Sequence, residues 1–535
     1  FDAVLWGKIP LGYHITSLSL HATNAVLCYF FFRKLFSITL NKETDDTAVK
    51  TSALCGALFF ALHPLRAESV AWITARRDLV SGFFAFAASI AYLSSVTKGA
   101  RPWFSAICFA CAVLSRESIA ALAPVLLALD AYPLRRLPVA FGEWLQPQFR
   151  PVLREKILFF LIAFFGGAMA VIATRNATFF QSFQELGLNH RAGAFFYGLA
   201  FYPLKTLWPS GLAPLYEIPP GFGLFSKWGW PAVLVSAILF GVAFKSRRKW
   251  PAITAVLVCY SLLIFPSLGI AQTISLAYDR FSYISCVPFA ALFGGAVWLV
   301  SEKSRVWQVA AMSAAVLWLA ALGISATAQT GIWHNSTALW TRVIKAAADR
   351  PNETAYLNRC QARLEDDYAA AAHADCSAAL QANPRLAEGY LNRGLASLDL
   401  GDPRAAYDDF EAALGIEPGL EKARFGRASA LLLMGRYEQA VLAFTALSSG
   451  SLREQALLNR SSAYHALKKD DLAMADLETI LAYNREHWLA LANRARLREE
   501  KKLYELALED YESAIKINPL YARAVAGKAR VLEIL

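Results

Sequence analysis

Long apolar runs broken by short charged loops fill the chain from Leu11 to about Thr330. From about Asn335 the chain turns to Ala, Leu and charge. Runs near 11–33, 50–64, 79–97, 102–115, 117–134, 155–174, 230–244, 250–267, 281–300 and 306–330 approach the ~20 apolar residues that cross hydrocarbon, with shorter ones shielded by neighbours. The run 192–208, carrying Lys205 and flanked or broken by Pro203, Pro209 and Pro214, does not fit an eleventh crossing. It reads as a re-entrant or interfacial helix. The expected class is all-α: a polytopic membrane domain over residues 1–332, followed by a helical array over 333–535.

The array announces itself by self-similarity. Asn358-Arg359, Asn392-Arg393, Gly426-Arg427, Asn459-Arg460 and Asn493-Arg494 recur at spacings of 34, 34, 33 and 34, the period of a two-helix tetratricopeptide repeat. Thirteen residues after each Arg stands an alanine: Ala372, Ala406, Ala440, Ala473 and Ala507. Directly after each Arg stands Cys360, Gly394, Ala428, Ser461 or Ala495. Small residues at both places let paired helices approach closely. Pro384, Pro418 and Pro519 end repeats, whereas Leu452 and Arg485 hold that position in the other two. Five full repeats result, with a half-repeat over Ser336–Asp349 upstream and a closing helix over Tyr521–Leu535. Asn358, Asn392, Asn459 and Asn493 fall on the concave side, where a row of amides suits an extended peptide backbone; solvated polar positions are the alternative. Cys360 and Cys376 occupy facing packing positions, as a disulfide or as buried thiols.

Charge changes the picture in the membrane half. The net charge is +11, but much of the excess sits in loops, so orientation explains it more simply than nucleic acid does. Arg33/Lys34/Lys42/Lys50, Lys98/Arg101, Arg135/Arg136/Arg150/Arg154/Lys156, the Lys245–Lys249 cluster and Lys303/Arg305 share one side under ten crossings. The positive-inside rule makes that side cytoplasmic. The array then lies outside the cytoplasm, in a periplasm or an endoplasmic-reticulum lumen. The chain begins at Phe1, and a natural start further upstream is expected; nothing resembles a cleavable signal peptide. Cys108 and Cys111 form a CxxC inside an apolar run, where packing is expected, and no set of metal-ligand spacing appears.

The opposite face collects the chemistry. The stretch His63–Asp78, HPLRAESVAWITARRD, lies between two apolar runs and is joined there by Tyr13/His14, Arg116-Glu117, Arg175, Lys205, Tyr216-Glu217 and Ala277–Tyr283. Placing a charge in hydrocarbon costs roughly 2.5–3.5 kcal/mol or more, so charges this dense must pair or face water. Arg76, Arg77, Arg280, Arg116 and Lys205 are candidates for binding a lipid phosphate. Glu68, Asp78, Glu117 and His63 are candidates for acid/base or supporting roles. Singly, each has a structural alternative: Asp78 a helix cap, Arg116-Glu117 a neutral pair, His63-Pro64 a helix terminator.

With these residues in hand, the chain resembles the transmembrane and tetratricopeptide repeat-containing (TMTC-like) proteins and their bacterial relatives. The matching pieces are Gly7…Pro10-Leu-Gly-Tyr-His14, His21-Ala-Thr-Asn24, His63-Pro…Glu68-Ser-Val-Ala-Trp72…Arg76-Arg-Asp78 and Ser115-Arg-Glu117…Pro124. Tyr202…Lys205…Pro209…Leu212…Tyr216, Asp279-Arg280…Tyr283 and Trp333…Leu339-Trp340 continue the match in order. The resemblance implies a GT-C type glycosyltransferase that moves a sugar, mannose or a similar hexose, from a polyprenyl-phosphate donor to Ser or Thr of a protein held by the repeats. No cofactor is expected beside the lipid-phosphate sugar donor, and the lack of an Asp/His cluster at metal-ligand spacing predicts metal independence. Such enzymes usually carry a catalytic acid residue in the first outer loop, which is expected to precede Phe1, and Asp279-Arg280 stands where relatives more often have Glu-Arg. A repeat scaffold without catalysis and a glycan transferase without a protein acceptor are the other classes considered.

Overall fold

The computed structural model describes residues 2–7, 9–138, 141–174, 187–216, 218–219, 221–268, 276–346 and 352–535. Arg175 and Glu217 lie outside them. The described residues are helical with no strand, and they divide into two compact units, 1–346 and 347–535.

The first unit's longer helices are α1 (Pro10–Leu40), α2 (Thr47–Leu62), α3 (Arg76–Thr97), α4 (Trp103–Ser115), α5 (Leu122–Ala131), α6 (Arg150–Thr174), α7 (Leu188–Leu207), α8 (Gly229–Ser246), α9 (Pro251–Ile264), α10 (Val287–Ser301), α11 (Arg305–Thr330) and α12 (Ser336–Ala346). Their ends follow local chemistry. Pro10 opens α1, Asn41 closes it in the left-handed region, and the Asp46 carboxylate caps α2 by accepting from the Ala48 and Val49 amides. Among the described residues five helices are long and apolar enough to cross a membrane, or up to seven if two bent pairs count as one crossing each. The pairs are Thr47–Leu62 with Pro64–Ala71, bent by 54°, and Asp279–Ser285 with Val287–Val300, bent by 56°. Both bends fall at the candidate site.

Two expectations need correction. The run 117–134 is not one spanning helix: a 3-10 turn, Glu117–Ala121, precedes the ten-residue α5, only about 15 Å at 1.5 Å per residue. Pro124 sits in the first turn of that short helix, where its missing N–H costs nothing, and Pro133 follows its end. Arg136 and Lys156 are also not free orienting charges. Lys156 Nζ lies 2.7 Å and Arg136 Nη1 3.0 Å from the buried Asp130 carboxylate, to which Tyr92 also donates, and Arg136 reaches Glu155. Partners spread over α3, α5 and α6 tie these helices together.

Close packing of α2 on α10 requires glycine: a Cβ on Gly56 would meet the Ala290 carbonyl oxygen at 2.9 Å. The run 192–208 lies within α7, which has Pro203 inside it and is not among the helices apolar enough to cross.

The second unit consists of the helix pairs Glu353–Glu365/Ala369–Ala382, Ala387–Asp399/Pro403–Ile416, Glu421–Leu433/Tyr437–Thr445, Arg453–Ala466/Asp470–Tyr483 and Trp488–Glu500/Tyr504–Ile517, then Ala522–Ile534. The alanines thirteen residues after each Arg are fully buried. A methyl at Gly394 would meet the Phe410 ring at 2.8 Å, which explains the small residue there. The arginines themselves, read from sequence only as markers, hold each pair together. Arg359, Arg393, Arg460 and Arg494 make two-pronged bonds to Asp375, Asp409, Asp476 and Asp510, sixteen residues on. At Arg427 the partner is Glu411, sixteen residues back. Cys360 and Cys376 are joined by a disulfide, with Cα atoms 5.5 Å apart. The helix Ser336–Ala346, expected as a half-repeat, groups with the first unit; the rest of that half-repeat, 347–349, lies outside the described residues.

Candidate functional site

The site is built where the two bent pairs and the breaks at 72–76 and 115–117 meet. Beneath it, α1 supplies a fixed floor. Asn24 donates to the Leu79 carbonyl (2.8 Å) and to the Tyr283 hydroxyl (3.0 Å), and His21 lies 2.9 Å from the same hydroxyl. Gly82 makes room for that ring, since a Cβ there would come within 2.8 Å of Tyr283.

On this floor the predicted cations are sorted by partner. Arg280 takes Glu68: its Nη1 donates to Oε1 at 2.7 Å and its backbone N–H to Oε2 at 2.8 Å. Arg116 takes Asp78, and Arg76 takes Asp2. Arg76 also donates to the Tyr13 carbonyl and Ser17 hydroxyl, so its donors are consumed in fastening α3 to the start of α1. Arg77 is exposed and makes no ion pair with a described residue. Lys205 donates to the Ser210 carbonyl at 2.5 Å, again without an ion pair among the described residues.

The acid and base candidates separate too. Glu68 and Asp78 are each 1% exposed and paired, as burial of a carboxylate demands. His63 is equally buried, with Nε2 3.1 Å from the Thr206 carbonyl and Nδ1 accepting from the Leu65 amide. A neutral ring protonated on Nε2 satisfies both contacts, so the structure uses His63 to join two elements, not as an exposed acid/base. Glu117 is exposed, next in the chain to the buried Arg116.

Asp78, Arg116 and Arg280 share one small pocket with Ser118, Leu263 and Ile284. Its volume is about 20 Å³, room for one water. Arg280 Nε is buried without a partner among the described residues, since Glu68 takes only Nη1 and the main chain. Leu263 and Ile284 also line a second, much larger cavity of about 660 Å³. That cavity is almost wholly apolar and runs between α1, α3, α5, α9 and α10, from Ile284 to Lys249 and Trp250. Along α9 it extends from Pro251 to Leu263, about 18 Å of helix.

Two residues of the singled-out stretches, Arg66 and Asp279, are given no role by the sequence. Arg66 is 3% exposed, donates to the Ser282 hydroxyl at 2.7 Å and lies over the Phe60 and Tyr283 rings. Asp279 is buried and accepts from the Tyr216 hydroxyl at 2.8 Å. The available signal was a charge beside an apolar run. The pairing Asp2–Arg76 had no signal at all, because spacing says nothing about contacts between the turn before α1 and the start of α3.

In the second unit, Asn358 donates to the Thr354 carbonyl and Asn459 lies 3.5 Å from the Ser429 hydroxyl. Asn392 and Asn493 are half-buried and make no hydrogen bond with a described residue.

The tetratricopeptide-repeat family model matches residues 387–419 and 490–519. The second unit is a tetratricopeptide-repeat array. The chain is 28% identical over 111 residues to Protein O-mannosyl-transferase Tmtc3 of Drosophila melanogaster, covering 19% of this chain and 12% of that protein. It is 31% identical over 86 residues to Protein O-mannosyl-transferase TMTC3 of Mus musculus, covering 16% and 8%. The matched stretches thus span about a tenth of the length of those relatives. Together with the repeats, they relate the chain to the TMTC-like proteins. Among solved structures, Pseudomonas aeruginosa pilF is similar at 19% identity and a TM-score of 0.31, covering 34% of this chain and 83% of that one. YrrB, described as a TPR protein with an unusual peptide-binding site, is similar at 19% and 0.29, covering 36% and 97%.

Proposed function

We propose that the chain is a membrane glycosyltransferase of the GT-C type, taking a hexose from a polyprenyl-phosphate donor and placing it on Ser or Thr of a protein held by the repeats. The observation that carries this reading is the neighbourhood of two cavities, which share Leu263 and Ile284 in their walls. A long apolar cavity that shares wall residues with a small pocket lined by Arg116 and the half-buried Arg280 suits a ligand with a hydrocarbon tail and an anionic head. In this reading the one-water pocket at Arg280 widens to admit the phosphate, which Arg280 grips through Nε, with Arg116 and the exposed Arg77 adding positive charge and Lys205 a further cation. Glu68 and Asp78 keep the arginines oriented.

Transfer with inversion needs a base for the acceptor hydroxyl, and Glu117, exposed beside Arg116, takes that role among the described residues. The arginines stabilise the charge that grows on the departing phosphate. The proposed chemistry needs no metal. The repeats lie outside the cytoplasm, where the Cys360–Cys376 disulfide is compatible with an oxidising compartment. Asn392 and Asn493, with unused amides, bind the acceptor main chain, with Asn358 and Asn459 beside them.

The test is sugar transfer by the purified full-length protein from a polyprenyl-phosphate hexose to an extracytoplasmic protein, followed by mass spectrometry. Arg280→Ala and Glu117→Gln each abolish transfer, and the double variant Asn392→Ala/Asn493→Ala lowers it while donor binding persists. Wild-type transfer in both Arg280→Ala and Glu117→Gln removes the proposed site. Donor turnover without a glycosylated protein removes the protein acceptor.

A further inference from the structure

Around Arg280, planar groups from three distant stretches stack in one column. The guanidinium carbon lies 4.1 Å from the Tyr278 ring centre and 4.9 Å from that of Trp72. Trp72 in turn stacks on Trp333, 6.0 Å between centres at 23°. Trp72 and Glu68 belong to one turn, since the Trp72 amide donates to the Glu68 carbonyl at 3.0 Å. That turn therefore supplies both the carboxylate on the edge of Arg280 and an aromatic face. Trp333 comes from the 3-10 turn Gly331–Trp333 that ends α11.

The consequence is geometric. Glu68 holds Nη1, and rings lie against the guanidinium, so the group has little freedom to rotate. Nε is the donor left without a partner among the described residues, and Arg280 lines the same small pocket as Asp78 and Arg116. An arginine side chain fixed in this way gives up less entropy when it grips an anion. Trp72 is fixed by its neighbours in turn, and is itself 37% exposed; Trp333 stops it swinging away from Arg280. The Trp333 indole N–H is buried with no hydrogen-bond partner among the described residues, so only its flat face is in use.

We propose that Trp72 and Trp333 are positioning residues: they hold Arg280 in the one orientation that presents its Nε edge to the donor phosphate. The proposal rests on the reading of Arg280 as the phosphate-binding residue. Because the indole N–H of Trp333 has no partner, phenylalanine replaces it without loss of a hydrogen bond, whereas alanine removes the stacking face.

The experiment uses the full chain in detergent micelles with undecaprenyl phosphate as the probe, measured by equilibrium binding and, with the sugar-bearing donor, by KM and kcat. Thermal unfolding is followed in parallel. Trp333→Ala weakens probe binding and raises donor KM by about tenfold, roughly 1.4 kcal/mol and the size of re-immobilising one long side chain. Its kcat changes less, and Trp333→Phe restores binding to within about threefold. Trp72→Ala behaves as Trp333→Ala. If Arg280→Ala weakens binding but both alanine variants bind as wild type, the positioning role is wrong and the phosphate reading stands. If Arg280→Ala also binds as wild type, the phosphate reading itself fails. Alanine variants that lose only melting temperature and active fraction, with unchanged KM, make the column plain packing and overturn the proposal.

Discussion

Arg280→Lys separates what the arginine does for the fold from what it does for the ligand. Glu68 is 1% exposed and receives two bonds from Arg280, at 2.7 and 2.8 Å. One of these comes from the main chain and does not depend on the arginine side chain. A lysine also leaves a cation opposite the carboxylate, so the variant avoids most of the roughly 3–5 kcal/mol that breaking a buried pair costs. What lysine lacks is a second edge: with its ammonium turned to Glu68, nothing replaces Nε in the pocket. The loss is one charge-assisted hydrogen bond to the phosphate, about 1.5–3 kcal/mol, or roughly 10- to 150-fold in kcat/KM at 1.36 kcal/mol per decade. Initial rates with a polyprenyl-phosphate hexose, on protein whose unfolding temperature has been checked, measure this. Arg280→Ala serves as the control that should lose stability as well. A lysine variant within threefold of wild type in kcat/KM, with unaltered unfolding, refutes the claim that Nε binds phosphate.

Asp130→Asn should destabilise the first unit by about 3–5 kcal/mol, because Lys156 and Arg136 then face a neutral amide; an unchanged thermal transition in detergent argues against the cluster. Cys360 and Cys376 should resist maleimide until reductant is added. Replacing both with serine should cost the repeats about 3 kcal/mol for a loop of this size, given the separation of 16 residues; free labelling of both without reductant counts against the bond. In Glu499, burial raises the carboxyl's pKa, but hydrogen bonds from Arg530 and Tyr511 outweigh this and hold it below the usual carboxylate range. A depressed folded value means the stabilisation is present above the unfolded pKa and fades as pH falls through the folded one. Glu499→Gln should therefore lower repeat stability at neutral pH and narrow the gap to wild type under acid; a gap that does not narrow opposes the assignment.

Much of the architecture is legible in the chain itself, for reasons particular to each half. Repeats are local: every 34 residues the same contacts recur, so Ala372, Ala406 and their counterparts betray buried positions by register alone. Apolar runs likewise announce membrane-type helices, because hydrocarbon tolerates little else. Breaks are harder to read. The run 117–134 looked continuous because apolarity is counted without regard to the Arg116–Asp78 pair, to Pro124 in the first turn of α5 or to Pro133 after its end.

The sequence by itself determined that an expensive set of charges lies beside the apolar runs, and that a solenoid follows. It could not say which charges cancel. Whether Arg76 binds Asp2, Arg116 binds Asp78 and Arg280 binds Glu68 depends on which helix ends meet, at separations from 38 to 212 residues. Side-chain type sets the number of donors, while only tertiary packing decides which of them are spent. That accounting leaves Arg280 Nε without a partner among the described residues and spends the donors of Arg76 and His63 on contacts within the fold. The physical reason is that a buried charge takes the nearest partner the fold supplies, and the spacing of residues along a chain does not encode that distance.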